Sequence, residues 1–306
     1  MKPTLIVLAA GMGSRYGGLK QVDGLGPNGE TIIDYSVYDA IRAGFGKVIF
    51  VIRRSIEDEF MKIFAKRFDR EINIGVAFQE LDMLPENFTC PPGREKPWGT
   101  AHAVWVTRNM VNEPFAVINA DDFYGFDTFT TLAKELSSSM LKPGQYFMVG
   151  FRLNKTLSEQ GSVSRGACDV DNNAFLKAIV EHTQIQRVGD KIYNMYDSGN
   201  QIELDGNMLV SMNFWGFTQD FFNLTETMLK EFLCGIPDPK KSEIYIPTVV
   251  NRAIQDGLAT CKVLSTTSEW FGVTYPGDKT MVVDKLKELV RNGVYPSPLW
   301  KNQVAN

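Results

Sequence analysis

The sequence predicts an α/β fold: an open, mostly parallel mixed sheet with helices on both faces and an inserted antiparallel lobe. Three observations predict it. Short apolar runs (LIVLA from Leu5, KVIFVIR over 47–53, FAVIN over 115–119) alternate with segments whose apolar residues recur at helical spacing. Strands regularly separated by helices call for parallel pairing through right-handed crossovers. From about residue 160 to 217 the pattern changes to short strand-like runs parted by turns such as Val170–Asn173 and Asp205–Asn207, as antiparallel strands read.

The elements follow in order. LIVLA is a buried first strand. Ile33, Val37, Ala40 and Ile41 share one helical face, and Gly44 ends that helix. KVIFVIR is the second strand, and Ile56, Phe60, Ile63 and Phe64 mark the next helix. Residues 72–79 form a third strand. The Pro-rich stretch 81–97 has no periodicity and is long enough to be a functional loop. A short helix starts near Thr100, FAVIN is the next strand, and Phe126, Phe129, Leu132, Ala133 and Leu136 give a helix before the strand YFMVGF at 146–151. Beyond the lobe come helices at about 219–233 and 243–256, a strand at 259–265 and a closing helix from Asp278. Hexapeptide and other repeats are absent. The expected organisation is one unit over 1–306, made of two halves at 1–150 and 151–306.

The chemistry begins where the first strand ends. LIVLA runs into a loop containing Gly11, Gly13, Gly17 and Gly18, with Arg15 and Lys20 planted in it. Glycines let the backbone approach a ligand and aim successive N–H groups at it, which makes an anion cradle. Arg grips two oxygens and Lys is a mobile point charge, so the pair suits a polyphosphate. A dinucleotide fingerprint fails because its third glycine position is Tyr16. A Walker loop fails because Lys20 follows Leu19. A nicotinamide-dependent oxidoreductase is also disfavoured by Arg53 and Arg54, where an acidic residue would be needed.

LAAGMGSR followed by Lys20 resembles the signature of nucleotidyltransferases with a glycosyltransferase-A-like fold, closest in layout to the sugar-1-phosphate nucleotidylyltransferases. The resemblance implies a nucleotide-diphospho-sugar transferase-like sheet and a Mg²⁺-dependent reaction between an NTP and a phosphorylated small molecule. It implies catalytic roles for Arg15, Lys20 and Asp121. It implies nucleotide contacts at Leu8, Ala10, Gly11, Gly13 and Ser14, at Gln79 and at Gly99 and Thr100 of the GTA segment. Asp121 is the implied metal ligand, since a carboxylate just past a buried strand suits a cation that takes one or two carboxylates plus phosphate oxygens; Asp122 is the alternative. Glu181 and Asn213 match positions that contact sugar hydroxyls, with a structural hydrogen bond as the other reading of each. A second metal-binding Asp is expected near the C-terminus, but the matching positions hold Gly272 and Thr274, and Asp278 fits a helix-capping acid.

Composition narrows the partners. The chain has 306 residues, a formal net charge of −4 and no Lys/Arg run, which argues against bulk nucleic acid. No apolar stretch approaches the ~20 residues of a membrane span, and no export signal is read at the N-terminus. Cys90, Cys168, Cys234 and Cys261 form no CxxC pair, so a reducing cytoplasm is the expected location. A sugar 1-phosphate is the first acceptor, giving an NDP-sugar and pyrophosphate. The compact RYGGLK spacing also resembles cytidylyl- or guanylyltransferases acting on an alcohol phosphate or pterin phosphate, and a non-catalytic nucleotide-sugar-binding regulatory protein is the third reading.

Overall fold

The structure is a computed structural model and describes residues 1–11, 24–68, 71–196 and 199–300. Its first half is built from β1 (Thr4–Leu8), α1 (Ile32–Ala43), β2 (Lys47–Ile52), α2 (Glu57–Phe68), β3 (Asn73–Phe78), α3 (Thr100–Trp105), β4 (Phe115–Asn119), β5 (Asp122–Phe123), α4 (Phe126–Leu136) and β6 (Gln145–Arg152). The second half contains β7 (Val163–Val170), β8 (Leu176–Val188), β9 (Lys191–Met195), β10 (Gln201–Leu204) and β11 (Leu209–Phe217). It closes with α5 (Asp220–Cys234), α6 (Ile246–Gln255), β12 (Thr260–Ser265), β13 (Phe271–Gly272) and α7 (Asp278–Arg291).

Among the described residues one sheet runs in the order β10-β9-β8-β7-β11-β4-β1-β2-β3, with β6 joined to β11 and β12 to β6. The pairings β4–β1, β1–β2, β2–β3 and β6–β12 are parallel, as the crossovers require. The antiparallel lobe is present, and it continues this sheet. Its hinge is β11, which pairs with β4 through Trp215–Phe217 and with β7 through Val210 and Ser211.

Alternation along the strands explains the layers. Leu5 and Val7 of β1, with Val48 and Phe50 of β2, face a core shared with α1, α2, α4 and α7. Ile6, Ile49 and Val51 face the opposite core, under α3, α5 and α6. Successive side chains point to opposite faces of a strand, so a central strand covered on both sides must be apolar throughout. That is why LIVLA and KVIFVI read as unbroken apolar runs. No helix among the described residues is long and apolar enough to cross a membrane.

Candidate functional site

Parallel pairing sets several chain ends on one edge. Leu8 of β1 lies level with Val51 of β2 and Asn119 of β4. The ladders extend one step further, with Ala9 N–H donating to Val51 O at 2.8 Å and Ala120 N–H to Leu8 O at 3.2 Å. Immediately beyond lie Ala10 and Gly11 on one chain and Asp121 on its neighbour. Gln79 leaves β3 at the same edge, its N–H bonded to Ile52 O at 2.9 Å. Leu8, Ala10, Gly11, Asp121 and Gln79 therefore share the carboxyl edge of the sheet, where open α/β folds bind ligands. Gly13, Ser14, Arg15 and Lys20 lie outside the described residues.

The adjacent aspartates face different surroundings. Asp121 is exposed, while Asp122 is buried. Asp122 Oδ2 accepts from Asn119 Nδ2 at 2.8 Å and lies 3.2 Å from the Tyr124 hydroxyl. Burial, then the Asp121 charge, push the Asp122 pKa up, while Asn119, Arg165 and Tyr124 oppose the shift. An exposed carboxylate on the ligand edge suits a hydrated hard cation, so the residues present fit Mg²⁺ at Asp121. Among the described residues no group of three or more His, Cys, Asp or Glu side chains is gathered that could hold a metal ion.

Gly272 has a packing reason for being glycine. It pairs with Asp122 in the β5–β13 ladder, and a Cβ there would lie 2.7 Å from Asp122 Oδ1. An aspartate at 272 would collide with the carboxylate already present. Asp278 is committed to a turn: its Oδ2 accepts from Thr274 N–H at 3.1 Å and Tyr275 N–H at 2.8 Å, and its Oδ1 from Ser158 Oγ at 2.9 Å. It caps the preceding turn more than its own helix.

Gln79 and the GTA segment lie against each other. Gln79 Nε2 donates to Gly99 O at 2.9 Å and reaches His102 Nδ1 at 3.3 Å. Gly99 has φ 101°, and a Cβ there would stand 2.3 Å from Ile244 O. Glycine is demanded here by the chain crossing at Ile244. Thr100 Oγ1 accepts from Ile246 N–H at 3.0 Å at the start of α6. His102 is fully buried, and its Nε2 lies 2.6 Å from Met83 O. Beside these residues a pocket of about 90 Å³ is lined by Arg53, Gln79, Glu80, Leu81, Pro97 and Trp98.

On the other side, Asn213 sits in an irregularity of β11 between Ser211 and Trp215 and has φ 63°, a backbone region that Asn tolerates. Its Nδ2 donates to Asn119 Oδ1 at 2.7 Å and its Oδ1 accepts from Trp215 Nε1 at 2.8 Å. Both ends of the amide thus bond to the protein, as the structural reading of Asn213 expects. Asn213, Asn119 and Asp122 form a chain of hydrogen bonds under Asp121. Glu181 on β8 lies opposite Gly166 of β7 and is exposed; its surroundings raise its carboxyl pKa and Arg165 opposes the shift.

Sequence reasoning missed Asn119 and Arg165. Asn119 is the only polar residue of FAVIN, and that break at the end of an apolar run was the available signal. Arg165 had none. Its guanidinium is buried, donates to the carbonyls of Thr156 and Ser164, and lies 4.8 Å from the Trp270 ring. Burial lowers its pKa to about 10 against the pull of Asp122, Glu181 and Asp278, so it remains a cation at neutral pH.

Comparison with known proteins places these features in context. Residues 4–156 match the nucleotidyl transferase family. The chain is 28% identical over 136 residues to the UTP–glucose-1-phosphate uridylyltransferase of Bacillus subtilis (strain 168), covering 40% of this chain and 45% of that protein. It therefore spans under half the length of that curated relative. Among solved structures, the inositol-1-phosphate CTP transferase from T. maritima superposes with a TM-score of 0.57 at 16% identity, over 94% of this chain and 97% of that one. A UDP-glucose pyrophosphorylase complexed with UDP-glucose superposes with a TM-score of 0.57 at 15% identity, over 93% and 98%. At these identities the superpositions establish the shared fold.

Proposed function

This chain belongs to the nucleotidyl transferase family, and on that premise we propose that it joins the nucleotidyl group of an NTP to the phosphate of a small acceptor, a sugar 1-phosphate first of all. One observation carries the proposal. Asp121 stands exposed past the end of β4, directly beside the end of β1 from which the glycine loop departs. A carboxylate beside a cationic glycine loop is what a triphosphate and its cation need together.

An oxygen of the acceptor phosphate attacks the α-phosphorus. The bond from that phosphorus to the bridging oxygen breaks, and pyrophosphate leaves with the electron pair. The nucleophile is already ionised at neutral pH, so positioning and charge stabilisation do the work and no general base is required. Arg15 holds the departing pyrophosphate, and Lys20 holds the α-phosphate and the acceptor phosphate. Asp121 holds Mg²⁺, which when bound supplies positive charge to the phosphate oxygens. Gln79 contacts the base beside the Arg53–Trp98 pocket, and Glu181 reaches the acceptor. The nucleotide belongs to residues 1–150 and the acceptor to 151–306.

Pyrophosphate release is the direct test, with Mg²⁺, each NTP and a panel of sugar and alcohol phosphates. Turnover with a sugar 1-phosphate is expected, and silence across the panel would favour a non-catalytic binding protein. Lys20→Ala is expected to lower turnover by about 10²-fold or more with the melting temperature unchanged. Full activity in that variant would remove Lys20 from the mechanism.

A further inference from the structure

Gln79 has one way left to face a ligand. Its Nε2 carries two hydrogens and its Oε1 carries none. The Gly99 carbonyl can only accept, so the amide atom 2.9 Å from it is the nitrogen. Turning the amide over would set two oxygens against each other. The second Nε2 hydrogen meets His102 Nδ1 at 3.3 Å, which requires that nitrogen to be bare. The other ring nitrogen ensures this. His102 Nε2 lies 2.6 Å from the Met83 carbonyl, an acceptor, so it carries the proton. Burial lowers the His102 pKa to about 4 against the Met83 bond, with Arg108 and Arg94 assisting, and the ring is neutral at pH 7. The ring cannot swing away, being fully buried and stacked on Trp105 at 5.9 Å. Among the described residues Oε1 has no hydrogen-bond partner, and Gln79 lines the pocket.

We infer that His102 is a positioning residue that locks the Gln79 amide with its oxygen toward the base, and that the pocket therefore favours bases with a ring N–H on the pairing edge. Uracil, thymine and guanine have that N–H; cytosine and adenine have a bare ring nitrogen in its place. The inference rests on the nucleotide site proposed above. Against uracil N3–H the locked oxygen makes a hydrogen bond. Against cytosine N3 it meets another lone pair, and a site built around one hydrogen bond rejects ligands that leave it unmade.

Calorimetric titration of the full chain with UTP and with CTP, in Mg²⁺ and without acceptor, tests this. UTP is expected to bind at least about tenfold more tightly than CTP. His102→Phe keeps a ring in the space but removes the acceptor nitrogen, and the ratio is expected to fall to within about threefold. His102→Asn, whose amide oxygen can stand where Nδ1 stood, is expected to recover most of it. Equal binding by the wild type, or a ratio unmoved in a folded His102→Phe, overturns the inference and leaves nucleotide binding standing. Where neither pyrimidine nucleotide binds, GTP against ATP makes the same comparison, and failure to bind any of the four overturns both. Should the variant not fold, the wild-type tautomer decides. His102 and His182 are the only histidines, so ¹⁵N imidazole spectra assigned with His182→Ala read it directly. A bare Nδ1 is expected, and a protonated Nδ1 overturns the inference.

Discussion

Asp121 and Asp122 are the same residue type one position apart, and the structure gives them opposite tasks. Asp121 meets solvent at the ligand edge; Asp122 is folded under it, held by Asn119 and Tyr124. A buried carboxylate already accepting hydrogen bonds is a poor site for a cation that keeps much of its water. Asp121→Asn is therefore expected to lower turnover by about 10²-fold or more and to raise the Mg²⁺ concentration needed for half-maximal rate. Asp122→Asn retains an acceptor oxygen for Asn119 and Tyr124, and is expected to stay within about tenfold of the wild type. Pyrophosphate release measured against Mg²⁺ concentration separates the two, and a lost Mg²⁺ response in Asp122→Asn alone would reverse the assignment. The same logic applies to Gly272, where the residue type follows from a neighbouring carboxylate and not from a turn.

Helix α1 shows how an element after the glycine loop is anchored. Thr31 and Asp34 form a reciprocal capping box at its start. The C-terminal segment then straps across it: Trp300 Nε1 donates to Asp34 Oδ1 at 2.9 Å, and the Tyr295 hydroxyl to Asp39 Oδ2 at 2.6 Å. Asp39 is 1% exposed, and burial raises its pKa from the ordinary 3.8 to about 7, although Tyr295 and Arg42 oppose this. A carboxyl that binds its proton more tightly when folded contributes stability below about pH 4 and loses it as the pH rises through about 7. Above that, the buried charge costs on the order of 4 kcal/mol. Asp39→Asn keeps an acceptor for Tyr295 and removes the charge. The variant's advantage in melting temperature over the wild type is expected to be larger at pH 8 than at pH 5. A difference independent of pH would show that Asp39 does not titrate in that window.

At the scale of the whole molecule, β11 decides how the halves relate. One strand pairs with β4 of the first half and with β7 of the antiparallel lobe, and it buries Phe214, Trp215 and Phe217. Separating the halves would expose those rings, so they are expected to unfold together, as a single endotherm in scanning calorimetry. Two resolved transitions would mean that each half holds its own core. The sequence by itself determined the alternation of helices and apolar strands, the position of the glycine loop and the placing of Asp121 just past β4. All of these are local: each depends on the period or spacing of residues within one short window. Even locally some elements escaped, because β5 and β13 are two residues each and no period can show in so short a run. Tertiary structure alone decided which polar groups were free. The Asn213 amide bonds Asn119, 94 positions away, and Gln79 Nε2 is taken by Gly99 and His102 while, among the described residues, its Oε1 is not. Gly272 was matched to Asp122 across the β5–β13 ladder. Whether a side chain is available to a ligand depends on hydrogen-bond partners brought near by folding, and no local window contains them.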